Sequence, residues 1–248
     1  MPGLELHSGF LEGFVKSWGV ILASEIGDKT FFIAALLAMR NPRKQVFAGA
    51  MLALAAMTIL SAAMGWAAPN LISKTYTHYG ATALFFFFGV RMLYEAFTGA
   101  ASASAESELE EVEKELQGSH KSRSDLAEEG SHKGGKNGAS VDDSKVKCGA
   151  FIHQLRRLVS PILLEAFTLT FLAEWGDRSQ IATIGLAAAA DVVGVTLGGI
   201  LGHALCTGAA VLGGKHLAEH IDEKVVAICG GLLFLAFGAH SLWQGPPQ

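Results

Sequence analysis

The chain has 248 residues, half of them hydrophobic and only 17% charged, with a formal net charge of −4 and a mean hydropathy of +0.36. That balance is too apolar for a soluble domain, and the acidic excess gives no footing for a nucleic-acid partner. Three widely spaced cysteines, Cys148, Cys206 and Cys229, make neither a disulfide framework nor a zinc pattern.

A bilayer crossing needs roughly 20 apolar residues, and six runs reach that length. The first predicted helix, about 10–39, is apolar except where "SEIGDKTFF" inserts Glu25, Asp28 and Lys29. The second, about 46–68, carries no charge, and the third, about 76–97, contains the block Phe85 to Phe88. Residues 99–157 differ in kind: Ser, Gly, Lys and Glu dominate and aromatic residues are almost missing, so this stretch cannot bury a core. It reads as an acidic, disordered spacer, in which "ESELEEVEKEL" forms a short helix with Leu109, Val112 and Leu116 on one side. The fourth helix, about 159–190, is interrupted by "AEWGDRSQ". The fifth and sixth, about 192–214 and 225–244, are uncharged apart from any charge on His203 and His240.

The two interruptions match. Glu25, Gly27, Asp28, Lys29 and Thr30 stand against Glu174, Gly176, Asp177, Arg178 and Ser179, at an offset of 174 − 25 = 149. The same offset pairs Gly49 with Gly198, Thr58 with Thr207, Gly65 with Gly214 and Phe85 with Phe234. The chain is therefore read as an all-α integral membrane protein of two homologous three-helix repeats, 1–98 and 158–248, joined by the 99–157 linker.

Three helices per repeat require the second half to lie upside down relative to the first. Charge asymmetry of the loops agrees: Arg40, Arg43 and Lys44 follow the first helix, Lys215 and Lys224 flank the fifth loop, and Arg156 and Arg157 end the linker. By the positive-inside rule these loops are cytosolic and both termini lie on the opposite side.

Each motif falls near the middle of its helix, close to the bilayer midplane. On a regular helix, residues i and i+3 share a face, so Glu25 pairs with Asp28, and Glu174 with Asp177. Facing the halves together makes a cage of up to four carboxylates, and intramembrane acids of this kind point to function. Gly27 and Gly176 admit unwinding, which would free backbone carbonyls as ligands; Thr30, Ser179, Thr58 and Thr207 offer hydroxyls. The bland alternative is a buried ion pair from Glu25 to Lys29 and from Glu174 to Arg178 at i,i+4, but it leaves Asp28 and Asp177 without a task. Thr58 and Thr207 read as bonding back to their own helices. His203 and His240 have no counterpart in the other repeat, where Leu54 and Arg91 stand at the matching positions, and each reads as a packed or interfacial histidine. Glu95, near a helix end, reads as interfacial.

Oxygen-only, carboxylate-rich sites suit hard cations such as Ca²⁺ and Mn²⁺, and no Cys or His lies within either motif. Four carboxylates against Lys29 and Arg178 leave about −2, which one divalent cation or two protons neutralise; metal binding must expel protons the acids hold. A site that takes either ion and opens alternately to each side is a cation/proton exchanger.

The doubled hexapeptide, Glu25 to Thr30 and Glu174 to Ser179, resembles the signature of the Gdt-type cation/proton exchangers (uncharacterised protein family sixteen), and the resemblance covers nearly the whole chain. It implies that Glu25, Asp28, Glu174 and Asp177 bind the cation, with Lys29, Thr30, Arg178 and Ser179 in support. It further implies import of Mn²⁺ and Ca²⁺ into the Golgi lumen in exchange for protons, the ions being substrates and no resident cofactor being needed. The short amino-terminal stretch, with neither a signal-peptide core nor a transit-peptide composition, favours the Golgi over a plastid address. Two rivals stand beside this reading. A passive cation channel would use the same acids without coupling. An intramembrane aspartyl protease also buries Asp beside Gly, but its two aspartates occupy different local motifs rather than copies of one.

Overall fold

A computed structural model of the chain describes residues 2–71, 73–100, 107, 110–112, 114, 160–220 and 222–246. Most of the 99–157 spacer lies outside the described residues. Eight long helices order the rest: α1 Pro2–Glu25, α2 Lys29–Arg40, α3 Arg43–Leu71, α4 Lys74–Thr98, α5 Pro161–Ala173, α6 Arg178–Ala189, α7 Val192–His220 and α8 Glu223–Gln244. Four stretches within them, Arg43–Ala68, Thr75–Thr98, Val192–Gly214 and Lys224–Gln244, are long and apolar enough to cross a membrane.

The first and fourth predicted helices are not continuous, which corrects the regular-helix geometry expected from the sequence. Each is two helices, α1–α2 and α5–α6, broken at the motif. The cause is local: Gly27 and Gly176 hold φ of 82° and 85°, a left-handed conformation open to glycine and costly for residues with a Cβ. Helix α2 then starts from Asp28 and α6 from Asp177, both extended. Pro161 takes the first turn of α5, where its missing N–H costs nothing. Gly99 closes α4 in the left-handed conformation, as a helix C-terminus favours. Helix α7 runs past the expected boundary at 214 through a kink at Gly214.

The helix boundaries repeat at the sequence offset. Helix α6 begins and ends 149 residues after α2, and α7 begins and ends 149 residues after α3. The packing repeats as well: α1 lies on α7 as α5 lies on α3, and α4 packs against α8. Matched glycines permit the close approach. A Cβ on Gly198 would stand 2.3 Å from the Phe14 carbonyl oxygen, and one on Gly49 would stand 2.4 Å from that of Leu163. Small residues at such crossings let helices pack closely where lipid removes the hydrophobic drive.

Polarity is arranged inside out. Leu52, Ile59, Trp66, Phe87, Leu172 and Leu212 are exposed, whereas Glu25, Thr58, His78, Glu174, His203 and Thr207 are buried. An apolar exterior around polar interior groups is what a bilayer solvent demands. Between α4 and α8, His78 Nε2 lies 3.1 Å from the Ser241 carbonyl oxygen, and the hydroxyls of Thr82 and Ser241 are 2.6 Å apart. Such bonds hold helices together in hydrocarbon.

One part of the spacer departs from the solvated reading. Val112 is fully buried and joins the apolar cluster of Phe31, Leu37, Val46 and Ala166. An apolar side chain gains by packing there whatever the polarity of its neighbours in sequence.

Candidate cation site

The break in each broken helix is built the same way. After α1 ends at Glu25, the Asp28 N–H donates back to the Glu25 carbonyl at 3.3 Å; after α5, the Asp177 N–H donates to the Glu174 carbonyl at 3.2 Å. This tight turn across a left-handed glycine ends one helix and aims the next. It also returns a hydroxyl to the first acid: Thr30 Oγ1 donates to Glu25 Oε2, and Ser179 Oγ donates to Glu174 Oε2, both at 3.3 Å.

The halves bring three of the four predicted acids together. Glu25, Asp28 and Glu174 each place one carboxylate oxygen within 4.8 Å of the others. Oxygens bound to one divalent ion at about 2.0–2.6 Å stand roughly 3–5 Å apart, so the triangle has the right size. Glu25 and Glu174 are each only 2% exposed, and the Oε1 atom of each has no hydrogen-bond partner among the described residues. Two buried carboxylates with unsatisfied oxygens are costly in low dielectric. A cation or protons would remove that cost.

Asp177 stands outside the triangle. Its carboxylate accepts from the Ser179 N–H at 3.1 Å, capping α6, and it lines a cavity of about 500 Å³ together with Gly27, Asp28, Arg91, Glu95 and Arg178. Asp28 lines the cavity, whereas Glu25 and Glu174 do not. At its wall, Arg178 Nη2 donates to Asp28 Oδ1 at 3.1 Å, and Nη1 lies 3.8 Å from Glu95 Oε2. Arg91 in turn donates to Glu95 at 2.7 Å. Arg178 therefore reaches across to the other half instead of back to Glu174, because the helix break removes the i,i+4 register the sequence suggested. Lys29 lies 3.4 Å from Glu111 of the spacer.

Sequence reasoning missed three partners. Glu95, expected as interfacial, belongs to the Arg178 wall. Glu111 had no motif to mark it. His203, expected as a packed or interfacial histidine, is 4% exposed, and its Nδ1 lies 3.7 Å from Glu25 Oε2. Thr58 does bond back to its own helix, donating to the Leu54 carbonyl at 2.7 Å.

Comparison with known proteins supplies the family. A family profile described as divalent cation/proton antiporter GDT1 matches residues 13–100 and 162–248. The chain belongs to the GDT1 family of divalent cation/proton antiporters. It is 50% identical over 232 residues to GDT1-like protein 5 of Arabidopsis thaliana, covering 94% of this chain and 96% of the relative. To GDT1-like protein 4 of Oryza sativa subsp. indica it is 46% identical over 238 residues, covering 96% of this chain and 75% of the relative. No solved structure matches the chain. GDT1 is a transporter family, not an enzyme family, so the protease reading falls away.

Proposed function

We propose that this GDT1 member exchanges Mn²⁺ or Ca²⁺ for protons at one site formed by Glu25, Asp28 and Glu174, with Asp177 as the fourth acid at the cavity wall. The observation that carries the reading is the convergence of carboxylates from both halves, with an unpartnered buried oxygen on each glutamate. Oxygen ligands suit hard divalent ions, and the same oxygens must release protons to bind them. Thr30 and Ser179 orient the glutamates, Arg178 holds Asp28, and Lys29 supplies the second positive charge. Gly27 and Gly176 form the breaks.

In this reading the halves are inverted three-helix repeats, α1–α2 and α5–α6 each cross as one broken span, and six spans result. The matched helix boundaries support the repeat, and the loop charges support termini that face the lumen and a linker that faces the cytosol. The resemblance of the doubled hexapeptide supports the Golgi as the membrane and its lumen as the destination. Epitope tags after Gln248 and near Gly134 check the topology: in cells permeabilised only at the plasma membrane, antibody should reach the second tag alone.

Glu25→Gln, Asp28→Asn, Glu174→Gln and Asp177→Asn should each abolish Mn²⁺ and Ca²⁺ transport in proteoliposomes while the protein stays membrane-inserted. Near-normal transport by two of these variants would move the site elsewhere.

A further inference from the structure

We propose that His203 is a nitrogen ligand of the transported cation and biases the site toward first-row transition dications, Mn²⁺ among them, over Ca²⁺. The inference rests on the carboxylate site proposed above.

His203 is buried, and its Nδ1 has no hydrogen-bond partner among the described residues. The 3.7 Å to Glu25 Oε2 is beyond hydrogen-bond reach, since a nitrogen–oxygen separation of about 3.6 Å or more is no longer a hydrogen bond. Buried polar atoms are nearly always satisfied, so an imidazole nitrogen aimed at a buried carboxylate across a short gap calls for something between them. Two atoms ligating one divalent ion stand roughly 3–5 Å apart, and this pair fits.

Packing explains how the two residues meet. A Cβ on Gly202 would lie 2.9 Å from the Ile21 side chain, so α7 closes on the last turns of α1 and sets position 203 against the end of that helix. Packing does not explain why the residue is histidine. The matching position in the first repeat is Leu54, only 2% exposed, so a leucine serves the equivalent place in the fold. The imidazole adds a ligand atom to one half alone; it stands beside Glu25 and outside the triangle of Glu25, Asp28 and Glu174, so an ion held by Glu25 and His203 together would carry one nitrogen among its oxygens.

That mixture sets the substrate class. Ca²⁺ takes oxygen ligands, whereas imidazole gains affinity along the first-row series from Mn²⁺ upward. The carboxylate majority keeps the site suited to Mn²⁺, the most oxygen-tolerant member of that series.

The test is pulsed EPR of the purified, Mn²⁺-loaded protein, which detects coupling from a directly bound ¹⁴N nucleus, together with uptake kinetics in proteoliposomes. Wild type should display imidazole ¹⁴N coupling that His203→Leu lacks. His203→Leu should raise the apparent KM for Mn²⁺ about tenfold, the scale on which losing a metal-site partner acts, and leave that for Ca²⁺ within about twofold. Bound Mn²⁺ without ¹⁴N coupling in wild type overturns the proposal even if the variant fails to fold. Equal shifts for Mn²⁺ and Ca²⁺ also overturn it, since a packing role would move both. Glu25→Gln separates the two levels of the account. Loss of Mn²⁺ binding there, with no ¹⁴N coupling in wild type, removes His203 alone; retained binding and transport removes the carboxylate site with it.

Discussion

Arg178 of α6 donates to Asp28 at the head of α2 across 3.1 Å, joining the two halves at the cavity wall. The same guanidinium faces Glu95, so one planar group holds two acids in fixed directions, which a lysine point charge cannot do. Arg178→Lys should retain transport at a rate within about tenfold of wild type, because the charge remains. Arg178→Ala leaves Asp28 and Glu95 without that cation, and Mn²⁺ uptake should fall well below the lysine variant. Equal rates for the two variants would show that the charge at this wall is idle.

The helix break at Gly176 can be tested without a packing change, since a Cβ there meets nothing within 4 Å. Only the backbone objects: a residue with a Cβ in left-handed conformation costs about 1–2 kcal/mol, and asparagine tolerates that region better than alanine. Gly176→Ala should lower both thermal stability and uptake, and Gly176→Asn should recover part of each. The readouts are a melting curve in detergent and Mn²⁺ flux. A Gly176→Ala protein that melts and transports like wild type would mean the turn is not needed.

The spacer contact separates two effects by size. Val112 is fully buried, and burying a valine contributes about 1.5–3 kcal/mol. The Lys29–Glu111 pair is half open to solvent, with Glu111 60% exposed, and such pairs contribute under about 1 kcal/mol. Val112→Ser should therefore lower the melting temperature by several degrees, while Glu111→Gln should barely move it. The reverse ranking would show that the ion pair, not the apolar contact, anchors this segment.

The acids, the glycines and the repeat were legible in the sequence because duplication marks them: Glu25 and Glu174 identify each other. The same device hid His203, whose counterpart is Leu54, since a residue that acts from one half leaves no echo at the offset. The Arg178–Asp28 bond was hidden for another reason. Its geometry depends on the helix breaking at Gly27 and Gly176, and i,i+4 arithmetic assumes that it does not. Val112 was seen on the apolar side of a short helix, but local pattern names no surface for it to bury against. The six-span, inverted arrangement follows from odd helix number and loop charge, and its membrane orientation is proposed on those grounds.

The central claim is that cation and protons share the carboxylates of Glu25, Asp28 and Glu174. Mn²⁺ uptake into proteoliposomes, with pH varied separately on each side, tests it most directly. Lower pH on the loading side should raise the apparent KM for Mn²⁺ by up to about tenfold per pH unit for each competing proton, because metal must displace the protons the acids hold. Lower pH on the release side should instead speed uptake and drive it against an Mn²⁺ gradient. Uptake that runs only downhill and ignores pH on both sides would contradict a shared exchange site and describe a passive channel.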